Sequence, residues 1–133
     1  MSGAPSPGVS YDYAVIRVVP RVDREEFINA GVLIHCRQLD VLEARFALDV
    51  ARLGALCPVT DPGWVQRHLE SIAKIARGGP DAGPMGAYSM RERFHWLTAP
   101  RSTIVQPSPV HSGVCSDPAA TLDHLMKRLV LPL

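Results

Sequence analysis

Lysine is the scarcest charged residue of this 133-residue chain, since only Lys74 and Lys127 occur among 14 basic side chains. The formal net charge is +1, and no long basic run is present. Binding to nucleic acid or to an anionic membrane is therefore not favoured, because both depend on clustered positive charge. The sequence shows no basic start followed by an apolar stretch, as a signal peptide would have, and no apolar run of membrane-spanning length. These absences predict a cytoplasmic protein.

Cysteine is sparse and odd in number, with Cys36, Cys57 and Cys115 as the three thiols. A disulfide framework would be denser and even in number, so we expect reduced thiols. His35 and Cys36 could join His111 and Cys115 as zinc ligands, but no Cys-x-x-Cys or His-Glu-x-x-His spacing supports such a site. The sequence therefore predicts neither a bound metal nor a cofactor.

The first ten residues differ in composition from the rest of the chain. Residues 1–10 are rich in Gly, Pro and Ser and show no periodic pattern of apolar residues, which predicts a disordered tail. The remaining residues, 11–133, are enough for one domain with a real core, because the hydrophobic content is 47%. We expect no second domain.

Apolar and β-branched runs predict strands at 11–19, 31–36 and 41–48, and the last two form a hairpin around the loop 37–40. A brief strand is expected at 103–106. The spacing of Asp23 and Glu26 is that of a capping box and predicts one or two helical turns over residues 24–29. The hairpin supplies at least one antiparallel pair of strands, and we expect the strand at 11–19 to lie in the same antiparallel sheet and to pair with the hairpin.

Four helix starts are marked by capping residues: Asp49, Asp61 before Pro62, Ser89, and Asp117 before Pro118. The second of these helices carries an apolar stripe of Val65, Leu69, Ile72 and Ala76. Strands lead along the chain and helices follow. The sequence therefore predicts a single α+β domain, a small antiparallel sheet with helices packed mainly on one face.

Polar chemistry concentrates in the segment 90–113, which is too polar for a core element and too aromatic for a tether. Its arginines, with Ser102 and Thr103, could hold a phosphate, a carboxylate or an acidic partner segment. Ion pairing and turn capping would equally account for them. Because Pro100, Pro107 and Pro109 force the segment to turn, we expect Arg93, His95 and Arg101 to lie within about one side-chain length of one another on a partly exposed concave surface.

Catalysis has weaker support in the sequence. His95 and His111 titrate nearest to neutral pH, and Cys115 could in principle pair with either histidine as a nucleophile. No nucleophile elbow is visible, and the glycines and Lys-Ser/Thr ending of a phosphate-binding Walker loop are missing. Phe94 and Trp96 are typical of core or interface anchors. We therefore assign no catalytic residue.

Two long motifs, Arg-Phe-His-Trp-Leu-Thr-Ala-Pro-Arg-Ser-Thr at 93–103 and Gln-Pro-Ser-Pro-Val-His-Ser-Gly at 106–113, stand out together with the stretch 11–32. With these residues the chain resembles a bacterial family known as domain of unknown function 3037. No activity comes with the resemblance. Genes of that family often lie beside a gene for a HipA-like protein with a kinase-type fold, which implies a partner of that kind.

Two functions follow as hypotheses. The first is a non-enzymatic accessory protein that binds another protein, with a HipA-like kinase-fold protein as the expected partner. The second is a small enzyme or a binding domain for a phosphorylated or carboxylated ligand, held by an Arg/His/Ser site. Both hypotheses use the same candidate site residues: Arg93, His95, Trp96, Arg101, Ser102, Thr103, Gln106 and His111.

Overall fold

A computed structural model describes residues 8–132. Five strands form one antiparallel sheet: β1 (Val9–Val18), β2 (Ile28–Cys36), β3 (Val41–Phe46), β4 (Val105–Pro107) and β5 (His111–Cys115). The ten-residue β1 is the central strand, with the β2–β3 hairpin on one side. On its other side β4 pairs with the second half of β1, and β5 pairs with the first half. The predicted pairing of the first strand with the hairpin is confirmed.

The described part of the chain also contains four α-helices: α1 (Val50–Leu56), α2 (Pro62–Arg77), α3 (Met90–Leu97) and α4 (Pro118–Leu129). The caps predicted for these four helices are present, because the side chains of Asp49, Asp61, Ser89 and Asp117 each accept a hydrogen bond from a first-turn backbone N–H. None of the helices in residues 8–132 is long and apolar enough to cross a membrane.

The sheet separates two buried clusters. The larger cluster joins the predicted α2 stripe, Leu53 of α1, and Phe94 and Leu97 of α3 to one face of the sheet. On the opposite face Leu122, Leu125 and Met126 of α4 pack against β2. Three of the four helices thus share one face, which confirms the α+β class with helices packed mainly on one side.

The predicted helical turns over residues 24–29 are wrong. A short 3-10 turn at Val22–Arg24 takes their place, and β2 begins at Ile28. Ile28 and Ala30 are buried in the core, so tertiary burial outweighs the local capping-box spacing. At the other end of the chain, β1 includes two residues of the predicted tail, whereas residues 1–7 lie outside the described part of the chain.

Strands β4 and β5 are separated by a short proline-rich segment, in which Ser108 maintains the hydrogen bonds to β1. The sequence did not reveal this connection. The Ser108 backbone N–H donates to the Val15 carbonyl at 2.8 Å, and the Ser108 hydroxyl accepts from the Val15 N–H at 2.8 Å. One buried serine therefore satisfies both backbone groups of Val15 between two prolines that cannot donate.

Candidate functional site

The site residues that were predicted within helix α3 lie on two different sides of that helix. The helix begins with a complete capping box, in which Ser89 and Glu92 satisfy each other's backbone N–H groups. Phe94 and Leu97 are buried against the sheet, whereas His95 is exposed. Residues two apart on a helix point to different sides. The helical phase therefore decides which members of the motif can reach solvent.

Arg93 lies on the buried side and is only 6% exposed. Its Nη1 donates to the Tyr88 carbonyl, and its Nη2 donates to the Ala76 carbonyl at 3.4 Å. Ala76 lies in the last turn of α2, where carbonyls lack partners within the helix. The guanidinium thus joins the end of α2 to the start of α3. The expectation that Arg93 shares an exposed surface with His95 and Arg101 is wrong.

Trp96 lies on the exposed side and has 45% of its surface accessible. The Arg101 guanidinium stands over the indole ring, with Cζ 4.3 Å from the ring centroid, and Arg101 Nη2 donates to the Trp96 carbonyl. Burial lowers the pKa of Arg101, but an arginine stays charged at neutral pH. Arg101 therefore holds a tryptophan in place at the surface through a cation–π contact.

An open cleft of about 830 Å³ lies beside this tryptophan. Its lining combines aromatic, basic and apolar side chains: Met85, Tyr88, Ser89, Arg91, Glu92, His95, Trp96 and Ala99. Tyr88 is 49% exposed. Tyr88 and Met85 are absent from the sequence-predicted site because they lie in the glycine- and proline-rich connection before α3, where no spacing distinguishes them from a plain linker.

The other predicted site residues lie elsewhere. Ser102 and Thr103 are exposed in the turn before β4, where the Thr103 hydroxyl donates to the Val105 carbonyl at 2.9 Å. Gln106 Nε2 donates to the Thr103 carbonyl at 2.7 Å. The His111 ring packs at a tilt against that of Tyr13, with ring centroids 5.3 Å apart, at the far end of the sheet. The structure therefore brings together His95, Trp96 and Arg101, and not the whole predicted set.

A second polar group was not predicted and runs across three strands. Strand register places His35 opposite Asp12, and Asp12 opposite Ser112. The Ser112 hydroxyl donates to Asp12 Oδ1 at 2.6 Å. The serine proton is thus directed at a carboxylate and not at an imidazole, which is not the arrangement that activates a serine nucleophile. Burial lowers the pKa of His35, whose ring lies 4.9 Å from that of Phe94.

The proposed Cys–His pair also lacks an activated nucleophile. Cys115 is buried, and burial raises the pKa of its thiol. A reactive cysteine requires the opposite shift, since the thiolate is the nucleophile. Within residues 8–132 no group of three or more His, Cys, Asp or Glu side chains is arranged to hold a metal ion.

Comparison with known proteins gives one match. The model of the family described as Protein of unknown function (DUF3037) matches residues 13–130, which cover all four α-helices and the sheet except the first four residues of β1. Neither the curated proteins nor the solved structures contain a significant match. The chain therefore belongs to the family described as Protein of unknown function (DUF3037).

Proposed function

We propose that this protein is a non-enzymatic accessory protein that binds another protein through the exposed side of α3. We call this region the α3 surface and define it as Tyr88, Arg91, His95, Trp96 and Arg101. The observation that carries the proposal is the half-exposed Trp96 held under the Arg101 guanidinium. Tryptophan is enriched at protein interfaces, because its ring is apolar while its N–H can remain hydrated.

A side chain that is already ordered before binding lowers the entropic cost of association. Association costs free energy for each side chain that must be ordered at the interface. Arg101 orders the indole before any partner arrives, because it contacts both the ring and the carbonyl of Trp96. Tryptophan, tyrosine and arginine are also the residues that contribute most at protein interfaces. The α3 surface contains all three types.

Charge indicates the chemistry of the partner. Arg91, His95 and Arg101 supply basic or titratable groups, whereas Glu92 is the one acidic residue lining the cleft. The Glu92 carboxylate already accepts from the backbone N–H and the hydroxyl of Ser89. The α3 surface therefore suits an acidic partner surface that also offers an apolar side chain to the cleft. A HipA-like kinase-fold protein in the cytoplasm is the partner that we propose.

The alternative, a small enzyme or a binding domain for an anionic ligand, has less support. It requires Arg93 at the ligand, but the Arg93 guanidinium is buried and donates to two backbone carbonyls. Thr103 and Gln106 also donate to carbonyls of their own turn. Most of the proposed ligand-binding groups are therefore engaged in local structure.

A matched pair of tryptophan variants tests the proposal. Trp96 and Trp64 have similar exposure, 45% and 41%, but Trp64 lies in the first turn of α2. Calorimetric titration with a HipA-like kinase-fold protein should show binding weakened about thirtyfold or more by Trp96→Ala, the effect of a 2 kcal/mol anchor. Trp64→Ala should bind as the unchanged protein does.

Two results of that titration would contradict the proposal. No binding by the unchanged protein would exclude this partner. If Trp96→Ala and Trp64→Ala weaken partner binding equally while their melting temperatures are unchanged, the α3 surface is not where the partner binds.

A further inference from the structure

A break in the register of β1 and β2 brings an arginine and two neighbours together on the face of the sheet that α4 covers. Arg17 of β1 lies opposite Asn29, whereas the residue before Arg17 lies opposite Gly31. Ala30 is therefore an extra residue of β2, and such a β-bulge changes the face to which the following side chains point. Asn29 thereby reaches α4, where its Nδ2 donates to the Leu129 carbonyl at 3.0 Å. Bulges that re-aim side chains in this way are over-represented next to functional sites.

The Arg17 side chain has an aromatic neighbour but no carboxylate. Its Cζ lies 4.2 Å from the centroid of the Phe27 ring, and Phe27 is 43% exposed. No acidic residue of the described chain forms an ion pair with Arg17. The cation–π contact fixes the plane of the guanidinium and leaves its charge without a counter-ion.

The hydrogen-bonding groups of Arg17 also lack acceptors. Arg17 Nε and Asn29 Oδ1 are both buried, and neither forms a hydrogen bond with the other or with any other described residue. Arg17 as a whole is only partly buried, so a ligand can reach the Nη end of its guanidinium. A charged donor that is withdrawn from water without an acceptor costs free energy. A bound anion supplies the acceptors that the described residues do not.

The neighbouring charges do not compensate that of Arg17. In the turn before β2, Arg21 pairs with Asp23 and Arg24 pairs with Glu26. Glu25 of the same turn is exposed and forms no ion pair with Arg17. The last turn of α4 carries two exposed basic residues beside the negative end of the helix, and these contributions partly offset each other. A ligand with one negative charge therefore provides the counter-ion that Arg17 lacks.

We infer that the Arg17 guanidinium and the Phe27 ring form a binding site for a small carboxylic acid with an apolar body. The two Nη groups form a fork that matches the two oxygens of a carboxylate. The apolar body lies against the exposed part of the Phe27 ring, which offers apolar surface beside the charge. The site is on the α4 face of the sheet, whereas α3 packs against the other face, so it is independent of the α3 surface and of its partner.

Three probes test the inference by NMR titration of the full, isotopically labelled chain: benzoate, benzamide and inorganic phosphate. Benzamide has the shape of benzoate without its charge, and phosphate has negative charge without an apolar body. Benzoate should shift the Nε–H signal of Arg17 and the backbone amide of Phe27. It should bind at least about tenfold more tightly than benzamide, as expected when a charge-assisted hydrogen bond is lost, and more tightly than phosphate.

Two arginine variants provide the matched comparison. Arg17→Gln should no longer bind benzoate, while its melting temperature stays close to that of the unchanged chain because no ion pair is lost. Arg24 is already paired with Glu26, so Arg24→Gln should bind benzoate as the unchanged chain does.

Four results would overturn the site. These are benzoate binding by Arg17→Gln, an equal loss of binding in Arg24→Gln, equal affinities for benzoate and benzamide, and a higher affinity for phosphate than for benzoate. If Arg17→Gln does not fold, the Arg17 Nε–H signal of the unchanged chain decides, and the inference is wrong if saturating benzoate leaves that signal in place.

Discussion

The two sides of helix α3 use the same residue type for opposite purposes. On the buried side, Arg93 donates to carbonyls of α2 and of the residue before α3, and so fixes how the two helices meet. Beyond the helix end, Arg101 stands over the exposed ring of Trp96 and donates to the Trp96 carbonyl. Both guanidiniums donate to backbone carbonyls, but only Arg101 also contacts a ring that is exposed at the surface. Position relative to the core, and not residue type, separates the arginine that joins two helices from the arginine that holds an exposed tryptophan.

The largest effect expected from this comparison is that of Arg93→Ala. The substitution leaves the Ala76 and Tyr88 carbonyls without their charged donor, so the free energy of unfolding should fall by about 3 kcal/mol. Denaturant unfolding followed by circular dichroism measures the change. Arg93→Lys, which can keep one of the two contacts, should lose less. A loss below that of Arg101→Ala would show that the buried side of α3 is not held by Arg93.

A smaller effect is expected at the glycine that Arg93 contacts. Gly78 has φ +76°, and a Cβ there would lie 3.0 Å from the Arg93 Cζ. Gly78→Ala should therefore cost about 2 kcal/mol from backbone strain and crowding together. Gly79 is the control, because its φ is +80° but a Cβ there meets nothing within 4 Å. If Gly79→Ala costs as much as Gly78→Ala in the same unfolding experiment, the contact with Arg93 contributes nothing.

On the exposed side, Arg101→Ala should lower the free energy of unfolding by at most about 1 kcal/mol, the contribution of an exposed cation–π pair. Binding of the HipA-like partner should nevertheless weaken, because Trp96 is no longer held in place. Thermal melting and calorimetric titration of the same sample separate the two effects. A fall of many degrees in melting temperature would make Arg101 structural like Arg93. Unchanged binding would remove it from the α3 surface.

The smallest expected effect concerns the pH dependence of stability and the buried side of α3, where the His35 ring packs at a tilt against that of Phe94. Burial lowers the pKa of His35 in the folded protein, so the unfolded chain takes up a proton first as the pH falls. The contribution of His35 to the free energy of unfolding is fully present above the ordinary histidine pKa of about 6.5. It is lost as the pH falls from there towards the lower pKa that His35 has in the folded protein. Melting temperatures between roughly pH 5 and 7 should rise with pH, and His35→Gln should flatten that rise.

Asp12→Asn provides the opposing variant for this experiment. The Asp12 carboxylate raises the pKa of His35 against the effect of burial. Removing that charge should lower the folded pKa further and make the rise in stability with pH steeper. A slope that changes in neither variant would mean that His35 does not govern the pH dependence.

Local signals in the sequence predicted most of the fold. The four capping residues, the α2 stripe and the β2–β3 hairpin each depend on residues close together in the chain, and each is confirmed. The errors arise where distant residues decide. Residues 24–29 have helical spacing, but burial of Ile28 and Ala30 makes them the start of a strand. Strand β5 was missed because its partner β1 lies about a hundred positions earlier.

The candidate site was less predictable than the fold for a related reason. The sequence marked the segment 90–113 as polar and aromatic, and the structure brings its members His95, Trp96 and Arg101 together. The sequence did not show that the Arg93 side chain points into the core, because that orientation depends on where α2 ends. It also did not show that Tyr88 joins the cleft, since nothing local relates Tyr88 to Trp96.

By itself, then, the sequence determined where the helices start, which stripe α2 buries, and which segment is both polar and aromatic, because those properties depend on spacing and side-chain type over one or two turns. Only the tertiary structure decided which arginine is buried, which tryptophan is held at the surface, and how Ser108 bonds to β1 between β4 and β5. Those outcomes depend on packing between elements far apart in the chain. The energy of a buried carbonyl exists only once those elements meet.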